Sequence, residues 1–201
     1  MESIRCWSPG HPSLVEIREL SHAIKLLENY RSRDETQQQE RSRILAFCAE
    51  HPDALCRTCT TGHLTASAII VDHSRSRVLL HRHAKLDRWL QLGGHCDGDG
   101  NFPHVAWREA VEESGIPDLV IDPEIIDLDV HVIPRRETEP QHLHLDVRFE
   151  VVAPEDCVPG ASEESTALSW YAPEELNQID IDDSVLRLVR LALNDEGGYA
   201  S

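Results

Sequence analysis

Residues 93–116 have the sequence GGHCDGDGNFPHVAWREAVEESGI, a glycine-rich turn followed by a helical pattern. Pro103 suits the first turn of a helix, where its missing N–H is not needed. Gly115 suits the left-handed residue that ends a helix, and Pro117 prevents the helix from continuing. The sequence therefore predicts a helix from about Pro103 to Ser114, directly after a tight turn.

Three glutamates, Glu109, Glu112 and Glu113, share one side of this helix, because residues three and four positions apart are neighbours on a helical surface. Their carboxylates repel one another by roughly a few tenths of a kcal/mol per exposed pair, and the C-terminal half of a helix disfavours negative charge. A hard divalent cation such as Mg²⁺ or Mn²⁺ would offset both costs, because oxygen-rich sites suit these ions. The alternative is a solvated acidic helix face.

The stretch resembles the Nudix box, whose pattern is G-x5-E-x7-R-E-U-x-E-E-x-G-U, with U an apolar residue. Six of the seven fixed residues of the pattern fall in register over residues 94–116. They are Gly94, Arg108, Glu109, Glu112, Glu113 and Gly115. One position departs, because Gly100 stands where the pattern has its first glutamate. The resemblance covers about residues 63–195, and the first 62 residues lie outside it.

The resemblance implies an α/β fold, a Nudix-type α/β/α sandwich with a mixed β-sheet. The helical pattern of residues 1–62 adds an N-terminal helical segment before it. The two domains would be a helical extension over residues 1–62 and a Nudix hydrolase domain over residues 63–201. The implied reaction is attack of water on a phosphorus of a nucleoside diphosphate linked to another moiety. The implied cofactor is Mg²⁺ (or Mn²⁺), and the implied partner is a small nucleotide-like molecule.

The resemblance also implies roles for individual residues. By register, Glu109, Glu112 and Glu113 would be the metal ligands. Arg108 would orient a box glutamate through a charge-assisted hydrogen bond. The catalytic base of the family varies, and it is either a box glutamate, such as Glu112, or a residue on a distant loop. Glu164, in the sequence SEEST, is the distant candidate, with an acidic surface loop as the alternative.

Gly100 removes one expected carboxylate from the box, and three explanations stay open. Asp97 or Asp99, in the same loop, supplies the missing metal ligand, or metal binding is weaker. In the third explanation the site has lost turnover, and the chain is a nucleotide-binding sensor or interaction module. An isomerase of isoprenoid diphosphates shares the fold, but it needs a reactive cysteine paired with a glutamate, and Cys96 lies in no such motif.

Two alternating patterns typical of strands follow the helix, in the sequences IIDLDVHVI and HLHLDVRFE. In an antiparallel hairpin, matching the apolar faces forces the polar faces to match as well. The matched polar patch would contain Asp127, Asp129, His131, His142, His144, Asp146, Arg148 and Glu150. This patch either lines the substrate cleft or is the solvated face of an antiparallel sheet. The predicted substrate-binding residues are His95, His142, His144 and Asp146.

Residues 1–62 have a helical pattern that differs from the rest of the chain. A helix is predicted from about Ser13 to Tyr30, where apolar residues recur at helical spacing. A second helix is expected to end near His51, because proline disfavours helix in the residue before it. This extension either covers the site or forms a homodimer interface. Short runs typical of strands begin at His63, and His81 is expected at the surface of one of them.

The chain of 201 residues has a formal net charge of −17, which argues against binding to nucleic acid or to an anionic membrane. A phosphate-bearing substrate would be repelled unless cations intervene. We expect a cytoplasmic protein, because no apolar run has the length of a membrane span or the character of a signal peptide. Among six cysteines only Cys56 and Cys59 have metal-like spacing, and a zinc ribbon needs a second such pair. In a cytoplasmic protein we therefore expect reduced thiols.

Overall fold

The computed structural model describes residues 6–84, 86–135, 139–160 and 165–194. Four α-helices, one short 3-10 helix and eight strands make up these ranges. In chain order the elements are α1 (Leu20–Asn29), α2 (Glu35–Glu50), β1 (Gly62–Val71), β2 (Val78–His83), β3 (Trp89–Leu90), β4 (Leu92–His95), α3 (Phe102–Ser114), β5 (Val120–Ile121), β6 (Asp127–Ile133), β7 (His142–Val152), β8 (Ser165–Tyr171), the 3-10 helix Pro173–Gln178 and α4 (Asp183–Leu193).

The described strands form one mixed sheet of eight strands with β1 near its centre. Strand β1 runs parallel to β7 along its whole length and antiparallel to β2 and β4. Strand β7 also pairs antiparallel with β5 and β6, and β2 pairs antiparallel with β3 and β8. Every residue of β1 is buried, as expected for a strand covered on both faces.

Two apolar clusters lie on the two faces of this sheet. Successive residues of β1 alternate between the clusters, because neighbouring side chains on a strand point to opposite faces. Ile70 packs in the cluster that contains α1, α2 and α3, whereas Ile69 packs in the cluster that contains α4. The sheet is therefore covered by helices on both sides, and the predicted α/β/α sandwich with a mixed sheet and a helical N-terminal segment is confirmed.

The N-terminal segment packs as part of this core. Leu27 of α1 and Ile44 of α2 are fully buried in the same cluster as the box helix α3. Gln37 of α2 joins the segment to β6, since its side-chain amide donates to Asp127 at 2.8 Å and its carbonyl accepts from the Leu128 N–H at 2.8 Å. The extension thus shares buried apolar and polar contacts with the sheet.

The first helix starts later than predicted, at Leu20 rather than near Ser13. Residues 13–19 instead lie against the loop before α3. The Asn101 amide donates to the carbonyls of Ser13 and Val15, each at 2.8 Å. The Ile17 N–H donates to Asp99 at 3.0 Å. These long-range hydrogen bonds hold the backbone groups that a helix would have paired locally, so tertiary contact overrides the periodic pattern.

The other predicted helix boundaries agree with the structure. Helix α2 ends at Glu50, one residue before His51, and α3 ends at Ser114 with Gly115 left-handed at φ 67°. All six cysteines are free thiols, as expected. Within the described ranges, no helix combines the length and the apolar character that a membrane span requires.

Candidate active site

A cleft of about 340 Å³ opens between the glycine turn, α3 and the β6–β7 hairpin. We call this space the cleft. Its lining is predominantly polar and comes from six strands (β1, β2, β3, β4, β6 and β7), helix α3 and the loops between them. The lining includes Arg57, Thr65, Ser67, His81, Gln91, Gly93, Gly94, His95, Glu109, Glu113, His131, His142, His144 and Asp146.

Two of the three predicted glutamate ligands face this cleft together. Glu113 is 5% exposed, and one of its carboxylate oxygens accepts the Gly93 N–H at 2.9 Å. Glu109 lies against Gly94, where a Cβ atom would come within 2.5 Å of the carboxylate. A Cβ atom at position 94 would therefore displace the carboxylate of Glu109 from its place beside the turn. The glycine turn and α3 thus bring two carboxylates to one wall of the cleft.

Arg108 lies beside this pair. Its guanidinium donates to Glu109 at 2.7 Å and to the His95 carbonyl at 3.4 Å. Burial alone would lower the pKa of Arg108, but the charges of Glu109 and Glu112 outweigh burial and raise it. The structure therefore places Arg108 where it can orient a box glutamate.

Glu112, the third predicted ligand, has a different position. It is exposed, and it is not among the described residues that line the cleft. The reason is local geometry, because successive side chains on a helix point in different directions. Glu113 points toward the sheet and is buried there, whereas Glu112 points toward solvent. The three glutamates share a helix side, but the structure brings only Glu109 and Glu113 of the three into the cleft. Glu164, the predicted distant base, lies outside the described residues.

Neither aspartate proposed to replace the missing box glutamate lines the cleft. Asp97 accepts two hydrogen bonds from Arg57, at 2.8 and 2.6 Å, and these lower its pKa. Asp99 is 1% exposed and accepts from Ile17, Asn101 and His104. Burial would raise the pKa of Asp99, but these hydrogen bonds outweigh it. Arg57 therefore holds the carboxylate of Asp97, which is not among the described residues that line the cleft, and the role of Asp97 as a metal ligand stays a prediction.

In the β6–β7 hairpin the polar faces of the two strands match, as the alternating pattern predicted. Asp127 is opposite Arg148, Asp129 is opposite Asp146, and His131 is opposite His144. The polar faces coincide, but the face is not solvated, because Asp127, Asp146 and Arg148 are all at most 2% exposed. One end of the polar face lines the cleft, and the other end is a buried ion network under α4.

Asp146 is held tightly at the boundary between these two ends. It accepts hydrogen bonds from Thr65, Ser67 and Arg148, each at 2.8 Å. Arg148 also donates to Asp127 at 3.1 Å, and Arg187 of α4 donates to Asp127 at 2.9 Å. Asp146 therefore has a fixed orientation at the cleft wall, set by neighbouring strands.

Histidines crowd the remaining wall of the cleft. We call this group the histidine cluster; its ring centroids lie 4.9 to 5.6 Å from their neighbours, and its members are His63, His95, His131, His142 and His144. Burial lowers the pKa of His95 to about 4 and that of His144 to about 2, and neighbouring positive charge adds to both shifts. These two imidazoles are therefore neutral near pH 7.

Two histidines of the cleft region were not identified correctly from the sequence. His63 enters the cluster because parallel pairing places it opposite His144, a non-local register that no local pattern reveals. His81 was expected at the surface but is 3% exposed. Pairing of β8 with β2 brings Ser165 within 2.8 Å of its ring, and burial lowers the pKa of His81 to about 4.

A family model described as the NUDIX domain matches residues 62–191. A search of curated proteins found no significant match to this chain. Among solved structures, a hydrolase of the NUDIX family from Clostridium perfringens shares 26% sequence identity with a TM-score of 0.50. The match covers 66% of this chain and 96% of that one.

Two further solved structures share the fold at lower identity. The C. elegans Ap4A hydrolase binary complex has 17% identity and a TM-score of 0.52, covering 64% of this chain and 93% of that one. The NUDIX domain of Shewanella oneidensis NrtR, complexed with ADP ribose, has 16% identity and a TM-score of 0.51. The match covers 74% of this chain and 96% of that one. The chain belongs to the NUDIX family and is a Nudix-type hydrolase acting on phosphorus-containing acid anhydrides.

Proposed function

We propose that this chain hydrolyses a nucleoside diphosphate linked to another moiety, with Mg²⁺ (or Mn²⁺) held at Glu109 and Glu113. The observation that carries the proposal is the convergence of these two carboxylates on the glycine turn, inside a polar cleft. The likeness to a protein that binds ADP ribose and to an Ap4A hydrolase is consistent with a nucleotide-type substrate. The domain limits are proposed as 1–62 and 63–201.

The residues fit a hard divalent cation. Both ligand side chains are carboxylates, which Mg²⁺ and Mn²⁺ prefer, and Gly94 leaves room for the carboxylate of Glu109 against the backbone. When bound, the ion would neutralise charge on the glutamates and the diphosphate and would polarise a water molecule. It would also counter the repulsion that a net charge of −17 exerts on a phosphate-bearing substrate.

The protein's own residues would act around this centre by binding and positioning. Arg108 holds Glu109 at 2.7 Å and would fix the carboxylate for metal binding. Asp146, His95, His142 and His144 line the facing wall and are the proposed substrate contacts. Neutral imidazoles can donate or accept a hydrogen bond, so they suit ribose or phosphate oxygens. Glu112 and Glu164 stay predictions for the catalytic base.

A second function, nucleotide binding with weak turnover, is favoured by one observation. The backbone of Ile17 and Glu19 occupies the space beside Gly100, where the box pattern has a glutamate side chain. The carboxylate is therefore missing, and the described loop aspartates do not line the cleft in its place. Such a chain would bind its nucleotide as a sensor or interaction module.

The test is a screen of diphosphate compounds with the full chain in Mg²⁺ or Mn²⁺, comparing wild type with Glu113→Gln and with Glu155→Gln. Glu155 is an exposed glutamate outside the cleft, so it is the matched control. We expect metal-dependent release of two phosphate-bearing products, lost in Glu113→Gln and kept in the control. Binding without turnover in wild type would favour the second function. Unchanged turnover in Glu113→Gln would overturn the proposed metal site.

We also infer a cytoplasmic location and propose a homodimer interface as one role of residues 1–62. Among the described residues, none from α1 or α2 lines the cleft, which disfavours a direct lid role for these helices. Light scattering of the purified full chain, measured over a series of dilutions, would give its oligomeric state. A monomer at all concentrations would remove the dimer proposal.

A further inference from the structure

Three histidines of the histidine cluster converge where strands β1, β4 and β7 lie side by side. His63 of β1 is directly opposite His144 of β7, and His95 of β4 is opposite Thr65, two residues along β1 on the same face. One ring nitrogen from each of His63, His95 and His144 lies within 4.8 Å of the other two. The sheet register therefore points three imidazoles at one position.

His63 itself lacks the partners that a buried polar side chain normally has. It is 3% exposed, and neither of its ring nitrogens makes a hydrogen bond of good geometry within the described part of the chain. The backbone of Cys59 lies near the ring but does not meet that geometry. Buried polar atoms are nearly always paired, because an unpaired one loses its hydration without compensation. A ligand that accepts a nitrogen lone pair would supply the missing partner.

We propose that His63, His95 and His144 form a binding site for a divalent transition-metal ion of the Zn²⁺ class, separate from the carboxylate site at Glu109 and Glu113. Imidazole is a preferred ligand of Zn²⁺, Co²⁺ and Ni²⁺ and a poor one for Mg²⁺, which favours oxygen. Three protein ligands leave one position open for water or for a substrate atom. His95 and His144 line the cleft, so that open position faces it.

The site goes beyond the proposed hydrolase function and does not depend on it. The carboxylates and the imidazoles differ in ligand chemistry, so each site selects a different ion. An ion at the histidines would add positive charge to the wall that faces the glutamates. In the metal-loaded state, the ion would meet a substrate oxygen in place of the bare rings of His95 and His144. His142 stays available beside it, since its Nε2 atom is buried without a partner in the described part of the chain.

The experiment uses the full chain without a histidine tag, stripped of metal and then titrated with Co²⁺ as a coloured substitute for Zn²⁺. We expect one equivalent of Co²⁺ to produce visible absorption bands, and a large excess of Mg²⁺ to leave them unchanged. Single variants His63→Gln, His95→Gln and His144→Gln are each expected to weaken Co²⁺ binding at least about tenfold. His73→Gln, an exposed histidine between β1 and β2, is the matched control, and Glu113→Gln tests independence from the carboxylate site.

The outcomes separate the alternatives. Bands lost in the three histidine variants but kept in His73→Gln and Glu113→Gln support the site. Bands that survive in all three histidine variants, or that disappear in Glu113→Gln or under Mg²⁺, overturn it. X-ray absorption of the zinc-loaded wild type covers the case in which a variant fails to fold. Nitrogen ligation with imidazole outer shells supports the proposal, whereas oxygen-only ligation, or sulfur ligation as expected from the neighbouring group His51, Asp53 and Cys59, overturns it.

Discussion

The backbone carbonyl of Glu19 lies directly against Gly100, in the space that a Cβ atom at position 100 would need. The contact is anchored by a hydrogen bond from the Gly100 N–H to the Ile17 carbonyl at 2.7 Å. The N-terminal extension therefore fills, with backbone, the position from which a box glutamate would project. Gly100, the residue that departs from the Nudix pattern, thus packs directly against the backbone of the N-terminal extension.

Gly100→Ala is expected to lower the free energy of unfolding by about 1–3 kcal/mol, and Gly100→Glu by more, because the neighbouring atoms of Glu19 and Ile17 are backbone and cannot rotate away. Urea unfolding would measure both. Gly160→Ala is the matched control, since a Cβ there meets nothing within 4 Å, and a change within about 0.5 kcal/mol is expected. A Gly100→Glu variant with wild-type stability and increased Mg²⁺-dependent hydrolysis would show that the extension moves aside.

The different positions of the box glutamates predict different kinetic effects. Glu109→Gln and Glu113→Gln should each reduce kcat by about 100-fold or more, since each removes a negative ligand from the cleft. Glu112→Gln, at an exposed position outside the cleft lining, should reduce kcat by less than about tenfold. Steady-state kinetics across Mg²⁺ concentrations would measure all three. A Glu112→Gln loss as large as that of Glu113→Gln would instead support the catalytic role predicted for Glu112.

Asp127 is expected to be important for stability. It is fully buried, and it accepts hydrogen bonds from Gln37, Arg148 and Arg187. Asp127→Asn would remove the carboxylate that bridges Arg148 and Arg187, while Asp129 and Asp146 still pair with Arg148. It should lower the free energy of unfolding, measured in urea, by about 1.5–3 kcal/mol, because the lost hydrogen bonds join charged groups. Asp180→Asn, which breaks the exposed pair with Arg88 at 3.3 Å, should change stability by no more than about 1 kcal/mol. Equal changes in the free energy of unfolding for the two substitutions would contradict the idea that burial makes Asp127 important for stability.

His81 should make stability depend on pH in the mildly acidic range. Burial lowers its pKa in the folded state to about 4, from an ordinary value of 6.5. The unfolded chain therefore binds more protons between these values, so the free energy of unfolding falls as the pH decreases from about 6.5 to about 4. The contribution of this one residue is at most roughly 3 kcal/mol.

The measurement compares urea unfolding of wild type, His81→Gln and His73→Gln at several pH values. His81→Gln should lose less stability on acidification than wild type, because its neutral amide does not titrate. His73→Gln, at an exposed position, should follow the wild-type curve. If His81→Gln and wild type have parallel pH profiles, the imidazole of His81 is not kept neutral by burial.

Much of the fold follows from local signals. Helix α3 spans Phe102–Ser114, close to the prediction, and Gly115 adopts the left-handed conformation that ends it. The polar faces of β6 and β7 coincide, because alternate residues of a strand always point to the same side of the sheet. The two-residue strands β3 and β5 carry too few residues for any period to be visible. The early start predicted for α1 was wrong, because Asn101 and Asp99 form hydrogen bonds with the backbone of residues 13–17 and replace those of a helix.

The sequence by itself determined the family, the helix that carries the glutamates and the pairing of two polar strand faces. These features depend on residues within one or two turns, or on a simple alternation. Only the tertiary structure decided that Glu113 enters the cleft while Glu112 stays in solvent, that Glu19 covers Gly100, and that His63 joins His144. The physical reason is that such contacts join distant segments. Thr65 and Asp146 are hydrogen-bonded at 2.8 Å across 81 positions of the chain, and no local pattern specifies that register.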